Sequence, residues 1–311
     1  MQIPHISVMP NEVKEIFKPI EDGYLIDCTL GYAGHTHMLL DEKNSLHVIG
    51  CDRDEEAIEF SKKRLEKFKN RVTIEHKNFS NIVSKYEHLP IRGILADVGV
   101  SSLQLDSNDR GFGFDSLKLD MRMDTAQTLS AYEVVNRYSK NELERVLKDY
   151  GELREYKKIA KLICDTREKN PIKEAKTLAD LVGRKGHVNG RKVSPATLVF
   201  QAIRIEVNQE LNELEELLRS IKMSSIDECI VCIISFHSLE DRIVKQTFKA
   251  WSKSCVCPSS ALKCECGNNN ALGWIITKKA VEPTSEEIKT NPRSRSSKLR
   301  AFYIKRGARE G

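Results

Sequence analysis

Residues of the types that do chemistry stand at the ends of apolar runs in this sequence. Asp52 follows one apolar run, and Asp97 interrupts the end of another. A third run ends in Ser235, and His237 lies two residues further on. The carboxyl ends of parallel strands meet in one crevice of an α/β sheet, where ligands bind and acids are tolerated. These side chains are therefore candidates for binding a ligand and for accepting a proton from it.

A glycine turn precedes Asp52 by about 20 residues, the spacing of a nucleotide-binding βαβ unit. The apolar run Tyr24–Leu30 ends in Gly31 and Gly34, and an apolar helical pattern follows at once. Glycine lets backbone approach a ligand without a Cβ between them. In such a unit the acid at the tip of the second strand accepts the two hydroxyls of a ribose. The pattern indicates an adenosine site; the alternative is a purely structural turn with Asp52 capping the next helix.

The form of the turn bears on which adenosine compound is bound. Dinucleotide-binding proteins use G-x-G-x-x-G, whose second glycine approaches a pyrophosphate. Here Ala33 follows Tyr32, and only Gly-x-x-Gly is present. The sequence therefore favours a cofactor without a pyrophosphate, such as S-adenosylmethionine.

Strands that alternate with helices would position these residues. The hydrophobic pattern predicts seven strands, at residues 24–30, 46–51, 71–75, 93–98, 229–235, 274–277 and 299–305. Phe79 follows the third strand, where a side chain would lie beside an adenine. Such alternation predicts a parallel sheet. The expected fold class is α/β, the Rossmann-like fold of class I S-adenosylmethionine-dependent methyltransferases.

The alternation is interrupted between about residues 103 and 212, where the patterns predict helices and no strand. Helix starts are predicted at Ser130, Ser139 and Ser194. The first two have a glutamate three residues later, which predicts capping boxes, and the third precedes a proline. The last helix is expected to run towards Ile221. We expect an inserted all-helical domain, with the divisions 1–104, 105–212 and 213–311.

Composition and charge narrow the class of protein. The 311 residues are 40% hydrophobic and 31% charged, as in soluble globular proteins. No apolar run could span a membrane and no signal peptide is recognised, so a cytoplasmic protein without a membrane partner is expected. The net charge is only +5, but Lys289–Arg306 contains seven basic residues and no acid, and Arg184–Lys192 contains four. Such stretches suit a phosphate backbone, or else a solvated surface.

Four of the nine cysteines form the pairs Cys255-x-Cys257 and Cys264-x-Cys266. Zinc sites usually use C-x₂₋₄-C, so the C-x-C spacing is tighter than usual. A structural zinc and four reduced thiols both remain open, and the spacing assigns no metal. The other cysteines lie in apolar runs and are expected in the core.

Eleven segments carry a family resemblance over nearly the whole chain. In order they are HISVMPNEV, DCTLGYAGHT, GCDRDEEAI, NFSNI, ILADVGVSSLQLD, RGFGF, LDMRMD, YGELREYKKIA, FQAIRIEVNQEL, ISFHSLEDRIVK and NPRSRSSKLR. With them the sequence resembles the bacterial 16S rRNA cytosine-N4 methyltransferase family (RsmH/MraW). The resemblance implies a class I domain with an inserted substrate-recognition domain. It also implies methyl transfer from S-adenosylmethionine to a cytidine in the decoding centre (P-site region) of the small ribosomal subunit.

The resemblance also implies which residues contact the cofactor. By position these are Ala33, Gly34, His35, Asp52, Phe79, Asp97 and Gln104. The family usually has a run of glycines before the histidine, and Tyr32 and Ala33 replace two of them here. Because alanine is small, we expect cofactor binding to be retained.

The chemistry requires alignment and a proton acceptor. The sulfonium methyl group is already activated, whereas the N4 lone pair of cytosine is delocalised and must be drawn out of conjugation. Ser235 and His237 are the catalytic candidates, with Asp97 as a further acceptor; His237 could instead be structural. A base splayed out of its stack could be received by Phe112, Phe114 or Phe236, for which core packing is the alternative.

Two other functions remain open at this point. A catalytically silent RNA-binding module would not need the set of Gly31, Gly34, Asp52 and Asp97. A methyltransferase for a small molecule or a protein would not need the basic C-terminal stretch or the helical insertion.

Overall fold

The structure, a computed structural model, describes residues 6–99, 108–186, 188, 193–258, 260–261 and 263–306. The chain divides into two compact units, one made of Met1–Gly99 with Asn212–Gly311 and the other of Val100–Leu211. The boundary expected between residues 104 and 105 falls outside the described residues and stays a prediction. No helix among the described residues is long and apolar enough to cross a bilayer.

The first unit is built on a seven-stranded sheet in the order β3-β2-β1-β4-β5-β7-β6. The strands are β1 (Asp22–Asp27), β2 (Ser45–Asp52), β3 (Val72–His76), β4 (Ile91–Asp97), β5 (Glu228–Ser235), β6 (Gly273–Ile275) and β7 (Lys298–Lys305). The first five are parallel to one another, and β7 is antiparallel to both β5 and β6. The Rossmann-like α/β fold predicted from the sequence is confirmed.

Helices cover both faces of this sheet. They are Pro10–Phe17, Gly34–Glu42, Glu55–Arg64, Ile82–Tyr86, Glu210–Met223, Ser238–Trp251 and Ser285–Thr290, with short 3₁₀ turns at Glu66–Phe68, Phe79–Asn81 and Pro292–Ser296. Adjacent residues of β1 belong to opposite cores, because side chains alternate across a strand. Leu25 packs with Phe17 and Leu39, and Ile26 packs with the cluster that contains Phe248. Burial on both faces explains why the central strands are apolar throughout.

The second unit is helical over its described residues. Its helices are Ala131–Arg137, Lys140–Asp149, Tyr156–Arg167, Ala175–Val182 and Pro195–Asn208, and their apolar faces form a separate core. The capping box at Ser139 is confirmed, since its hydroxyl accepts from the Glu142 amide and the Glu142 carboxylate accepts from the Ser139 amide. The box predicted at Ser130 is wrong. The Ser130 hydroxyl donates to the Glu133 carboxylate instead of accepting from the backbone.

The long helix predicted from Ser194 towards Ile221 is interrupted. It ends at Asn208, and Gln209 adopts a left-handed conformation with φ of 50° before the helix Glu210–Met223 begins. Two side-chain interactions hold the break. The buried Asn208 amide bonds the backbone of Met121 and Met123, and Arg204 pairs with Glu210 through two hydrogen bonds of 2.9 Å. Helical periodicity is read from apolar residues close in sequence. It therefore did not reveal a break held by polar side chains, one of which bonds residues distant in sequence.

Candidate active site

Three aspartates lie at the carboxyl ends of neighbouring strands. Asp27, Asp52 and Asp97 are the last residues of β1, β2 and β4, and β1 lies between the other two. In an open α/β sheet the crevice beyond these strand ends is where ligands bind. Two of the three were singled out from the sequence. Asp27 was missed, because it lies inside the run Tyr24–Leu30 that was predicted as one strand, whereas β1 ends at Asp27.

The turn after β1 contains two residues in the left-handed region. Gly31 has φ of 50° and Ala33 has φ of 58°, and Ala33 precedes the helix Gly34–Glu42. A side chain in this conformation costs about 1–2 kcal/mol, which is the physical reason to favour glycine there. The turn nevertheless closes, with the Ala33 amide donating to the Leu30 carbonyl at 2.7 Å. The neighbouring Tyr32 ring packs edge-on against Phe60, with centroids 5.1 Å apart.

The carboxylate of Asp52 is fixed by two backbone amides. Gly31 donates to its Oδ2 at 2.8 Å, and Asp54 donates to its Oδ1 at 2.9 Å. The helix Glu55–Arg64 is capped by Asp54, whose side chain accepts from the Glu56 amide, so Asp52 is not the cap. Each oxygen of Asp52 retains a lone pair for a further donor. Burial raises the pKa of Asp52, against the effect of the two amides.

Of His35, only the backbone is available to a ligand at the turn, since its ring is bonded elsewhere. The buried imidazole donates from Nε2 to the Val8 carbonyl at 2.8 Å, and burial lowers the pKa of His35 to about 4, so the ring is neutral. Gly34 and His35 open a nine-residue helix, and the amides of a first helical turn have no partner within the helix. Those amides are suited to an anionic group.

Two further cofactor residues expected from the sequence, Phe79 and Asp97, lie around the same strand ends. Phe79 begins the short turn after β3 and packs at the margin of the apolar core. Gln104 lies outside the described residues. Asp97 ends β4, and its amide donates to the Thr29 hydroxyl at 2.6 Å.

One oxygen of Asp97 is buried without a hydrogen-bond partner among the described residues. This atom is Oδ1, although part of the residue reaches the surface. Burial, with the negative charges of Asp27 and Glu240, raises the pKa of Asp97 to about 8. Asp27 is itself buried and accepts from the Thr36 hydroxyl at 2.6 Å, and burial raises its pKa to about 6. A buried acceptor left unpaired is costly, so this oxygen is placed for a ligand that donates to it.

The structure brings Ser235 and His237 to the strand edge next to Asp97. Asp97 pairs with Ile234, the residue before Ser235. The buried Ser235 hydroxyl donates to the Lys298 carbonyl at 3.3 Å. His237 caps the helix Ser238–Trp251, and its Nδ1 accepts from the Glu240 amide at 3.4 Å. Since Nδ1 accepts, Nε2 is the ring nitrogen that can donate.

Glu240 is a buried acid that the sequence patterns did not single out. Its Oε2 accepts from the amides of Phe236 and His237, at 2.8 and 3.2 Å. Its Oε1 lies 3.0 Å from His237 Nε2, but the angle does not make a hydrogen bond and neither atom has another partner among the described residues. The spacing His-x-x-Glu is that of a capping box and could have pointed to Glu240. Glu240 therefore holds the backbone that presents His237.

Two arginines of the basic stretches pair with acids outside those stretches. Arg300 makes two hydrogen bonds to Asp241, at 2.6 and 3.2 Å, and Arg184 pairs with Asp115 and Asp180. These acids lie outside the basic stretches in sequence, which is why the stretches looked uncompensated. Arg293 and Arg295 remain exposed.

The aromatic residues considered as receivers of a base have different surroundings in the two units. Phe112 is buried in the helical core, and Phe114 packs edge-on against Phe200 with centroids 4.8 Å apart. Core packing, the alternative weighed for them, is what the structure shows. Phe236 is half-buried, and its ring fills the space where a Cβ on Gly99 would lie, 2.6 Å away.

The residues at these strand ends fit S-adenosylmethionine. Two backbone amides orient the Asp52 carboxylate, and its remaining lone pairs can accept from ribose hydroxyls. Oδ1 of Asp97 has no hydrogen-bond partner among the described residues and can accept from a ligand. The glycine turn and the first amides of the following helix suit the amino-acid end of such a molecule. The strand order with an antiparallel β7 and this set of residues define a class I S-adenosylmethionine-dependent methyltransferase.

Comparison with known proteins shows the family. The family model described as the MraW methylase family matches residues 2–305, and the chain belongs to this family. A relative from Aliarcobacter butzleri, named Ribosomal RNA small subunit methyltransferase H, is 58% identical over 97% of this chain and 99% of its own. Relatives with the same name from Campylobacter jejuni and Campylobacter curvus are 55% and 54% identical, each over 98% of this chain and over 98% and 99% of theirs.

Proposed function

We propose that the protein transfers a methyl group from S-adenosylmethionine to the N4 amino group of a cytidine in the decoding centre (P-site region) of 16S rRNA, in the cytoplasm. The name shared by relatives up to 58% identical supports small-subunit rRNA as the substrate. The observation that carries the N4 chemistry is the unpaired Oδ1 of Asp97 beside the residues that fit the cofactor.

The proposed chemistry depends on a group that accepts a hydrogen from N4. The cofactor supplies a methyl group activated by its attachment to a sulfonium. An acceptor that holds one N4 hydrogen draws the nitrogen lone pair out of conjugation with the ring. As the new N–C bond forms and the S–C bond breaks, N4 must lose one proton. A carboxyl group whose pKa is raised to about 8, as at Asp97, is in its ionised form a strong enough base to take that proton.

Ser235 and His237 are proposed to complete the catalytic set. The Ser235 hydroxyl gives its hydrogen to the Lys298 carbonyl, so it can offer only a lone pair. His237 can donate only from Nε2, because Nδ1 accepts from the backbone. This geometry favours Asp97 as the proton acceptor, with Ser235 and His237 orienting the cytosine.

The helical unit is proposed to recognise the rRNA. It has its own apolar core, and none of its described residues is among the candidates for cofactor binding. The described part of this unit is therefore available to bind the substrate.

The test of this function is to locate the methyl group. The full chain is incubated with S-adenosylmethionine labelled in the methyl group and with small ribosomal subunits that lack the modification. The rRNA is then digested to nucleosides and mapped. We expect label in N4-methylcytidine at one decoding-centre position, and far slower labelling with Asp97→Asn. Label in a ribosomal protein, in another base or at the ring carbon of cytosine would contradict the proposal.

A further inference from the structure

Four cysteine sulfurs form a cluster remote in sequence from the candidate active site. Cys255, Cys257, Cys264 and Cys266 lie between the helix Ser238–Trp251 and β6, and all four are free thiols. Their sulfurs all lie within 4.8 Å of one another. Three of the distances are 3.6 Å (Cys255–Cys264), 3.5 Å (Cys264–Cys266) and 3.7 Å (Cys255–Cys266).

These distances are those of a tetrahedral metal site. Four sulfurs placed about 2.3 Å from a central zinc ion at the corners of a tetrahedron stand about 3.8 Å apart. A disulfide would require about 2.0 Å between two of the sulfurs. The observed distances therefore match sulfurs arranged around one ion and not sulfurs joined in pairs.

The two C-x-C pairs are joined by hydrogen bonds, which makes their tighter spacing compatible with a metal site. The amide of Val256, the middle residue of the first pair, donates to the sulfur of Cys266 at 3.3 Å. The amide of Glu265, the middle residue of the second pair, donates to the sulfur of Cys257, also at 3.3 Å. Each pair thus supports the second cysteine of the other. Amide donors of this kind stabilise thiolates, the form that binds metal.

The described residues of this segment form no apolar core of their own, and only Leu272 at its end packs against the core of the first unit. Among its described residues between Ser252 and Leu272, none is buried, and Val256 is 59% exposed. Its base is closed by backbone bonds, from the Leu272 amide to the Trp251 carbonyl and from the Asn270 amide to the Ser254 carbonyl. A short segment without a core needs another cross-link to keep one conformation. The other cysteines are buried and pack in the core. These four are exposed or half-exposed, so packing does not explain why their sulfurs lie together.

We propose that Cys255, Cys257, Cys264 and Cys266 bind one zinc ion in a closed tetrathiolate site that fixes the segment before β6. Because all four coordination positions are filled by protein, the ion is structural and takes no part in methyl transfer. A tetrathiolate site could also hold iron, and the experiment separates the two metals.

The experiment measures the metal in the full chain, purified without chelators from medium that contains both zinc and iron. Elemental analysis should find about one zinc per chain. The double variant Cys264→Ser/Cys266→Ser should retain less than about one tenth of that amount. The matched control, Cys164→Ala, removes a buried cysteine of the helical unit and should keep its zinc. Iron in place of zinc, or a metal-free chain, would overturn the proposal.

A second measurement needs no variant, so it stands even if the cysteine variants fail to fold. The metal of the wild-type chain is exchanged for cobalt, and the visible spectrum is recorded. Four thiolates around cobalt should give intense sulfur-to-metal charge-transfer absorption together with tetrahedral d–d bands. A spectrum of octahedral cobalt, or thiol titration showing that these four cysteines are joined in disulfides, would count against the site.

Discussion

At the scale of single residues, the site depends on carboxylates in different states. Two amides orient the Asp52 carboxylate, whereas Asp97 has an oxygen with no partner among the described residues and a pKa raised to about 8. We therefore propose that Asp52 accepts hydrogen bonds from the cofactor and that Asp97 takes up and releases a proton. Each role leads to a separate test.

Asp97→Asn should change how stability depends on pH. The pKa of the Asp97 carboxyl rises from its ordinary value of 3.8, which applies in the unfolded chain, to about 8 in the folded protein. Folding therefore takes up a proton in this window, and the contribution of Asp97 to stability is lost as pH rises through it. Asparagine cannot ionise, so as pH rises from about 4 to about 8 the free energy of unfolding of the variant should increase by on the order of 2–4 kcal/mol relative to the wild type. Parallel curves of melting temperature against pH, measured without cofactor, would contradict this.

The same substitution separates proton transfer from cofactor binding. If Asp97 accepts the N4 proton, Asp97→Asn should lower the rate at saturating cofactor by about 10²–10⁴-fold. Cofactor affinity, measured by calorimetry, should change much less. A large loss of affinity with an unchanged saturated rate would make Asp97 a cofactor ligand only.

Asp52→Ala should weaken cofactor binding by about 10- to 150-fold, because a hydrogen bond to a charged group contributes about 1.5–3 kcal/mol. Asp41→Ala is the control, since Asp41 is exposed on the helix after the turn and pairs with Lys67. Asp52→Asn, which keeps one acceptor oxygen, should fall between the two. Equal affinities for all three variants, measured by calorimetry, would remove Asp52 from the site.

At the scale of elements, the basic C-terminal stretch divides into two functional parts. Arg300 on β7 is tied to Asp241 on the helix Ser238–Trp251, so it supports the sheet. Arg293 and Arg295 lie on the short turn before β7 and are exposed. Because of this exposure, we expect phosphate contacts from the turn more than from Arg300.

The double variant Arg293→Ala/Arg295→Ala should lower RNA affinity and flatten its salt dependence. For every phosphate that the protein no longer neutralises, the slope of log affinity against log salt concentration should fall by about 0.7–0.9. Melting temperature and cofactor affinity should not change. Arg300→Ala is the contrasting variant, and it should lower the melting temperature. An unchanged salt slope in the double variant would show that the two arginines are only solvated.

Elements were predictable from the sequence where a local pattern determines them. Apolar runs ending in Asp52, Asp97 and Ser235 were enough to locate three strand ends. A buried strand requires apolar residues, whereas the ligand crevice at its end tolerates polar ones, so the change from apolar to polar marks the strand end. Interactions between distant residues left no such signature. The pairing of Arg300 with Asp241 and the bond from Asn208 to Met121 depend on which elements pack together. The unpaired state of Asp97 Oδ1 likewise required the geometry.

At the scale of the whole molecule, the two units have separate cores and separate proposed tasks. A chain that joins Gln104 to Asn212 through a short linker should still bind S-adenosylmethionine, since the described cofactor candidates all lie in the first unit. It should methylate no rRNA. Calorimetry checks binding, and labelled methyl transfer to small subunits checks activity. Retained rRNA methylation would contradict this assignment of tasks.

The position of β7 has a consequence for the synthesis of the protein. This strand, Lys298–Lys305, is near the end of the chain, yet it lies between β5 and β6 and pairs with all eight residues of β5. During translation β5 is made about 70 residues earlier and has one open, apolar edge until β7 has left the ribosome. A nascent chain that stalls before Lys298 would expose that edge to other chains. Early termination should therefore yield aggregates and not a shortened enzyme.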